Sequence, residues 1–103
     1  MPKPVRADPD VEEEIGAGVA WYEQQRTGLG REFFDEVRAA VLSLTVPGPE
    51  CRPALGVPVE LGVRRKLLRR FPYVVVFIEF PTAVHIVAVA HAHRRPGYWK
   101  DRT

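Results

Sequence analysis

Two stretches of this chain concentrate side chains able to act on anions. The first runs from Val63 to Arg70 and carries Arg64, Arg65, Lys66, Arg69 and Arg70. Guanidinium groups pair bidentately with phosphate or carboxylate, so such a run suits a nucleic acid, an acidic protein or an acidic peptide. In a strand, alternation would put Arg65 and Arg69 on one face and Arg64, Lys66 and Arg70 on the other. The same charges also protect an edge strand from aggregation, and the sequence alone leaves both roles open.

The second stretch is His91-Ala92-His93-Arg94-Arg95-Pro96-Gly97-Tyr98-Trp99. Imidazole and phenol can exchange protons in phosphoryl transfer, guanidinium can stabilise a crowded phosphorane, and aromatic faces can stack on bases. His91, His93, Arg94 and Tyr98 are therefore the catalytic candidates. Arg64, Arg65, Arg69, Arg70, Arg94, Arg95, Tyr98 and Trp99 are the candidates for binding a macromolecular partner. The competing role for Tyr98 and Trp99 is packing: a cap over an open end of the core with arginines stacked on it.

Other chemistry has little support. His85, His91 and His93 would give three imidazoles on one strand face, but no carboxylate follows at a ligand-like spacing, so no metal site is expected. Cys51 lies in a proline-rich stretch, remote in sequence from any histidine, and reads as an ordinary thiol. There is no glycine-rich phosphate loop, Gly-x-Ser-x-Gly or dinucleotide fingerprint, and no cofactor is expected.

The elements that would position these residues follow from local pattern. Pro2 and Pro4 keep the start extended, with a short edge strand around Lys3 to Arg6. Asp8-Pro9 is a helix start, with a capping acceptor followed by proline at the first helical position. Val11, Ile15, Val19 and Tyr22 form one apolar stripe, and Thr27-Gly28 closes that helix. Gly16 and Gly18 weaken it and would let another backbone approach. Leu29, Phe33, Val37, Ala40, Val41 and Leu44 form a second stripe after so short a connection that the two helices must run antiparallel. Pro47-Gly48-Pro49 ends the second helix. Residues 45–62 hold four prolines and three glycines and read as an irregular loop. Strands are then expected over Val63 to Arg70, Tyr73 to Phe80 and Val84 to His91, with Val84, Ile86, Ala88 and Ala90 on one face of the last. The order βααβββ implies an α+β fold, an N-terminal helical hairpin packed on a small antiparallel sheet.

Composition sets the outer bounds. At 103 residues, 46% hydrophobic and 27% charged, the chain fits a single domain, 1–103, and not a disordered one. The longest apolar run, Tyr73 to Ile78, is far short of the roughly 20 residues a membrane helix needs. Met1 to Glu14 has no apolar segment of the secretory kind, and the expected compartment is the cytoplasm. A lone cysteine excludes an internal disulfide. The net charge of +2 hides a division: residues 1–50 hold five Lys/Arg against ten Asp/Glu, residues 51–103 ten against three. Such asymmetry gives a folded molecule oppositely charged sides.

Taken together, Trp21-Tyr22, Gly28-Leu29-Gly30 with Phe33, Arg69-Arg70-Phe71-Pro72-Tyr73, and Val87 to His91 followed by Arg94, Pro96, Gly97, Tyr98 and Trp99 resemble the RelE/ParE superfamily of bacterial type II toxins. These are often called plasmid stabilisation proteins. The resemblance spans about Asp8 to Arg102. It implies a helical hairpin on a small sheet, growth inhibition, and a cognate antitoxin whose acidic or amphipathic segment wraps the toxin. A homodimer, or a heterotetramer with the antitoxin, is compatible with it, and no membrane is involved.

The superfamily divides by mechanism. RelE-type members cleave messenger RNA on the ribosome without metal, using sheet lysines and arginines, an arginine after the last strand and a C-terminal tyrosine. Tyr98 matches that tyrosine and Arg65 stands near one sheet lysine. Leu67 falls at the other lysine, Val74 at the arginine position opening the central strand, and Ala92 at the one after the last strand. Arg94 lies two residues further on. ParE-type members lack the nuclease set and poison DNA gyrase by binding. Missing arginines favour the ParE side, with the aromatic finish as a docking anchor. The alternatives are a ribosome-dependent endoribonuclease using Tyr98, His91 or His93 and Arg65, Arg69 or Arg94, and a non-toxic member that survives as a binding protein.

Overall fold

A computed structural model of the chain describes residues 2–103. Strand β1 (Val5–Ala7) leads into helices α1 (Asp10–Gln25) and α2 (Leu29–Ser43), followed by β2 (Arg52–Pro53), β3 (Val63–Leu67), β4 (Tyr73–Glu79) and β5 (Val84–His91). The five strands lie in the order β1-β5-β4-β3-β2. Pairing is antiparallel except that β1 runs parallel to β5. The α+β architecture expected from the sequence is present.

The helix start is as the sequence suggests: Asp8 Oδ1 accepts the Asp10 amide at 3.0 Å, and Asp10, Glu12 and Glu13 occupy the positive end of the helix. The hairpin is fixed by Glu23. Its carboxylate takes the amide protons of Gly28 and Gly30, otherwise unsatisfied at the N-terminus of α2. The predicted stripes point inward, where Phe33, Val37 and Leu44 meet Val75, Phe77, Ile86 and Val89 of the sheet. Each such side chain contributes roughly 1.5–3 kcal/mol by leaving water. Tyr22, Phe33, Phe71 and Tyr73 form an aromatic knot with neighbouring centroids 4.8–5.2 Å apart. Phe71 reaches this knot from the bend between β3 and β4, which explains the compact Arg-Arg-Phe-Pro-Tyr run.

Four details differ from the sequence expectation. First, β3 stops at Leu67 and does not continue to Arg70. Glu36 of α2 accepts both the Arg69 and Arg70 amides, at 2.7 and 3.0 Å, and draws the backbone out of the sheet. Second, the proline-rich segment 45–62 contains β2 and a short 3-10 turn, Val59–Leu61, so it is not wholly irregular. Third, β5 has a bulge: Val76 pairs with Ala88 and Phe77 with Ile86, leaving Val87 out of register. Val84, Ile86 and Val89 therefore face the helices while Val87 and Ala88 face away, so alternation does not run through the strand. Fourth, the close backbone approach expected at Gly16 or Gly18 occurs at Gly30. A Cβ there would stand 2.6 Å from the Val19 carbonyl oxygen, whereas Gly18 is covered by the Phe33 ring and Gly16 faces open space.

Two glycine substitutions should act in opposite directions. Gly30→Ala should cost about 2–4 kcal/mol in urea unfolding, because the hairpin must spread. Gly16→Ala should add up to about 1 kcal/mol, since it restricts the unfolded chain and meets nothing in the folded one.

Candidate functional site

The site begins with an incomplete strand edge. β1 covers only Val84 to Ile86 of β5, so the edge beyond the bulge has no strand beside it. Two side chains take its place. Glu14 of α1 accepts the Val89 amide through Oε1 at 3.0 Å, and Arg102 donates to the Val87 carbonyl at 3.1 Å. Glu14 Oε2 also accepts the Tyr98 hydroxyl and pairs with Arg102 at 3.2 Å. Arg102 extends the chain of contacts to Asp10 at 3.3 Å. The Glu14 side chain is 11% exposed, so these contacts are only weakly screened by solvent. Burial and the hydrogen bond to Glu14 hold the Tyr98 phenol well above its ordinary pKa. It is a donor fixed in place.

This latch folds the tail over the face of the sheet that the helices leave bare. Trp99, 3% exposed, packs with Ala54, Val63, Val76, Val87 and Ala88 in a second apolar cluster. The tail meets the segment after β2 where two glycines cross. A Cβ on Gly56 would lie 2.7 Å from the Pro96 carbonyl carbon, and both Gly56 and Gly97 have positive φ. Between tail and β3 remains a groove of about 90 Å³. Its floor includes Ala54, Val76 and Ala90, and Arg65, Arg94 and Arg95 stand at its rim. Among the described residues no carboxylate lines it.

The predicted residues divide sharply. Arg64 is consumed internally, donating to the Gly48 and Cys51 carbonyls at 3.1 and 3.2 Å and pairing with Glu79. Lys66, on the same face, bonds Ser43 and Glu50. Arg70 pairs with Glu32 at 2.6 Å and lies over Phe71, and Arg69 lines a separate recess with it beside Glu36 of α2. Arg65 donates Nε to the Pro53 carbonyl and otherwise faces the groove with Arg94 and Arg95. Arg94 covers the Tyr98 ring with its guanidinium 3.7 Å from the centroid.

The Trp99 ring lies inside the second cluster and underlies the groove. Both rings pack at this end of the core, Trp99 in the second cluster and Tyr98 under the Arg94 guanidinium. His91 packs edge-on against Tyr73, with centroids 5.3 Å apart, and its Nδ1 accepts the His93 amide at 3.1 Å. The bulge places His85 on the opposite face from His91. Cys51 is buried, and burial raises its thiol pKa.

Sequence reasoning missed Glu14, Arg102 and Arg52. Glu14 follows Asp10, Glu12 and Glu13 early in α1, and nothing local sets it apart. Arg52 stands directly opposite Arg65 across β2 and β3, a like-charged pairing invisible until the short strand is placed.

No family model matches the sequence, and no curated protein matches it. The fold does recur among solved structures. A chain from the structure of the chromosomal ParDE TA system from P. aeruginosa is similar, with a TM-score of 0.76 over 88% of this chain and 97% of that one, at 18% sequence identity. The chain thus has the ParE/RelE-like toxin fold that its motifs suggested. No helix among the described residues is long and apolar enough to cross a membrane.

The latch yields two stability predictions. Tyr98→Phe should cost about 1–3 kcal/mol, the value of a hydrogen bond to a charged group. Glu14→Ala should cost about 2–4 kcal/mol, because it leaves the Tyr98 hydroxyl and the Val89 amide without an acceptor while Arg102 keeps only Asp10. A double-mutant cycle by urea unfolding should show the two losses to be coupled. The raised Tyr98 pKa fixes a pH dependence too. Above about pH 10 the unfolded phenol ionises while the folded one keeps its proton, so stability falls as pH rises. Tyr98→Phe should flatten that alkaline slope.

Proposed function

We propose that this chain is the toxin of a type II toxin–antitoxin module of the ParE kind. On this reading it inhibits an essential bacterial target by binding it, with DNA gyrase the precedent of that branch, and a cognate antitoxin neutralises it. It acts in the cytoplasm, where that target resides. The observation that carries the reading is the state of Tyr98. A nuclease of the RelE kind needs a C-terminal tyrosine able to trade a proton with the reacting phosphate. Here the phenol donates to Glu14, burial and that bond hold its proton, and the Arg94 guanidinium covers its ring. Burial and the bond to Glu14 outweigh the opposite pull of the Arg94 and Arg102 guanidiniums, and the balance favours a structural donor.

The neighbouring positions agree. Val74 and Ala92 put no cation where RelE-type chemistry would stabilise the phosphorane. The groove instead offers an aliphatic floor and three guanidiniums, a surface suited to holding a partner. The likeness to a ParDE chain supports the same branch.

Induction of the chain alone in a bacterium should arrest growth, and purified protein should inhibit gyrase supercoiling. Tyr98→Phe, provided it folds, should retain both effects, whereas Arg65→Glu with Arg95→Glu should lose them. Rapid cleavage of ribosome-bound messenger RNA that Tyr98→Phe abolishes would overturn the proposal.

A further inference from the structure

The tail leaves β5 through a turn crowded with ionisable groups. His91-Ala92-His93-Arg94-Arg95 holds two imidazoles and two guanidiniums in five residues. Three of its amides are bonded. The Ala92 amide donates to the Pro72 carbonyl at 2.6 Å, the Arg94 amide to the His91 carbonyl at 3.0 Å, and the His93 amide to His91 Nδ1 at 3.1 Å. The first two acceptors are carbonyls and do not titrate. The third is a ring nitrogen, which accepts only while its lone pair is free.

The groups around that nitrogen give its protonation a consequence. Tyr73 of β4 meets the ring edge-on, and burial, with Glu14 second, holds its phenol above the ordinary pKa. The His93 ring centroid stands 5.2 Å away. Arg94 and Arg95 of the turn, Arg65 of β3 and Tyr98 of the tail line the groove with His91, and among the described residues no carboxylate does. Glu14 of α1 comes within 4.0 Å of Arg94 but is already engaged by Tyr98, Arg102 and the Val89 amide. A proton on His91 therefore removes one bond of the turn and sets a positive charge among like charges.

We propose that His91 is an acid-sensitive pin: protonation at Nδ1 frees the turn that carries Arg94 and Arg95 and so reshapes the groove. Histidine suits the task, since its charge changes between about pH 5 and 8. The rest of the tail stays in place, because Trp99 is held by apolar packing on Val76, Val87 and Ala88 that a proton does not touch. The movement is confined to the rim. The inference goes beyond the toxin reading and does not depend on it, because the pin acts on the shape of this surface whatever the surface binds.

The test is NMR of the full, ¹⁵N-labelled chain across the histidine range, about pH 8 to 5. Ring-nitrogen shifts report the protonation of each imidazole while the His93 amide is followed in parallel. As His91 takes up its proton, the His93 amide proton should move upfield along the same curve. Its protection from exchange, taken relative to an unstructured peptide at the same pH, should fall about 2- to 10-fold, the size expected for one hydrogen bond. The Trp99 indole and Val89 amide resonances should not follow that curve. His91 is half-buried and His93 exposed, so both tolerate replacement. In His91→Asn the side-chain oxygen can accept the amide two residues on, as in an Asx turn, but it does not titrate. That variant should keep the turn and lose the pH response, whereas His93→Gln should retain the response. A His93 amide that stays still while His91 titrates would overturn the proposal, as would a pH response that survives in His91→Asn.

Discussion

The carboxylate of Glu14 is the constraint on which the rest of the structure turns. A sheet whose last strand is covered over only three residues must satisfy its remaining edge by other means. The bulge at Val87 sharpens that need, because it takes one residue out of register and leaves its carbonyl without a strand partner. Glu14 and Arg102 supply the missing bonds from opposite ends of the chain, and their mutual attraction ties α1 to the tail. Everything on the second face follows: Trp99 is pressed against Ala88, the tail crosses Gly56, and a groove is left between them.

The same logic explains the fate of the charges. The basic segment gives most of its cations to carboxylates close by in the fold: Glu79 of β4, Glu50 after α2 and Glu32 of α2. Arg64 and Lys66 face the end of α2 and hold the segment after it by carbonyls, a hydroxyl and carboxylates. Arg70 goes to Glu32, whose carboxylate lies below its ordinary pKa through its hydrogen bonds to Arg70 and Arg26. Arg65 and Arg95, which no carboxylate pairs among the described residues, stand on the other face at the groove. The sequence-wide division of charge is thus filtered by strand alternation into a small cationic rim.

Periodicity made the hairpin and central strands readable, since the inward stripes of α1 and α2 contain Val11, Tyr22, Phe33 and Val37, all buried. The aromatic run at Phe71 and Tyr73 was equally legible. The bulge was not: Val84 to His91 is apolar at nearly every position, so no polar residue marks where the faces exchange. The early end of β3 was hidden for a different reason. It depends on Glu36, more than thirty positions away, taking two amides. The site suffered from the same blindness to distance. Tyr98 could be picked out as a chemical residue, but its partner Glu14 sits 84 positions earlier and no local pattern links the two.

A groove built this way is unevenly rigid, and the unevenness bears on binding. Its floor belongs to β4, β5 and Trp99, close-packed and held by the Glu14 latch. Its outer rim rests on Arg65 and on a two-residue strand that places Arg52 beside it. A rigid floor lets an apolar anchor bind without ordering the protein first, so little affinity is lost to entropy. A solvent-exposed rim contributes little per charge but acts at a distance, raising encounter rates and rejecting cationic segments. Strength and selectivity are then carried by different residues. A change in the rim should alter association and salt response, while a change in the latch should alter whether the floor exists at all.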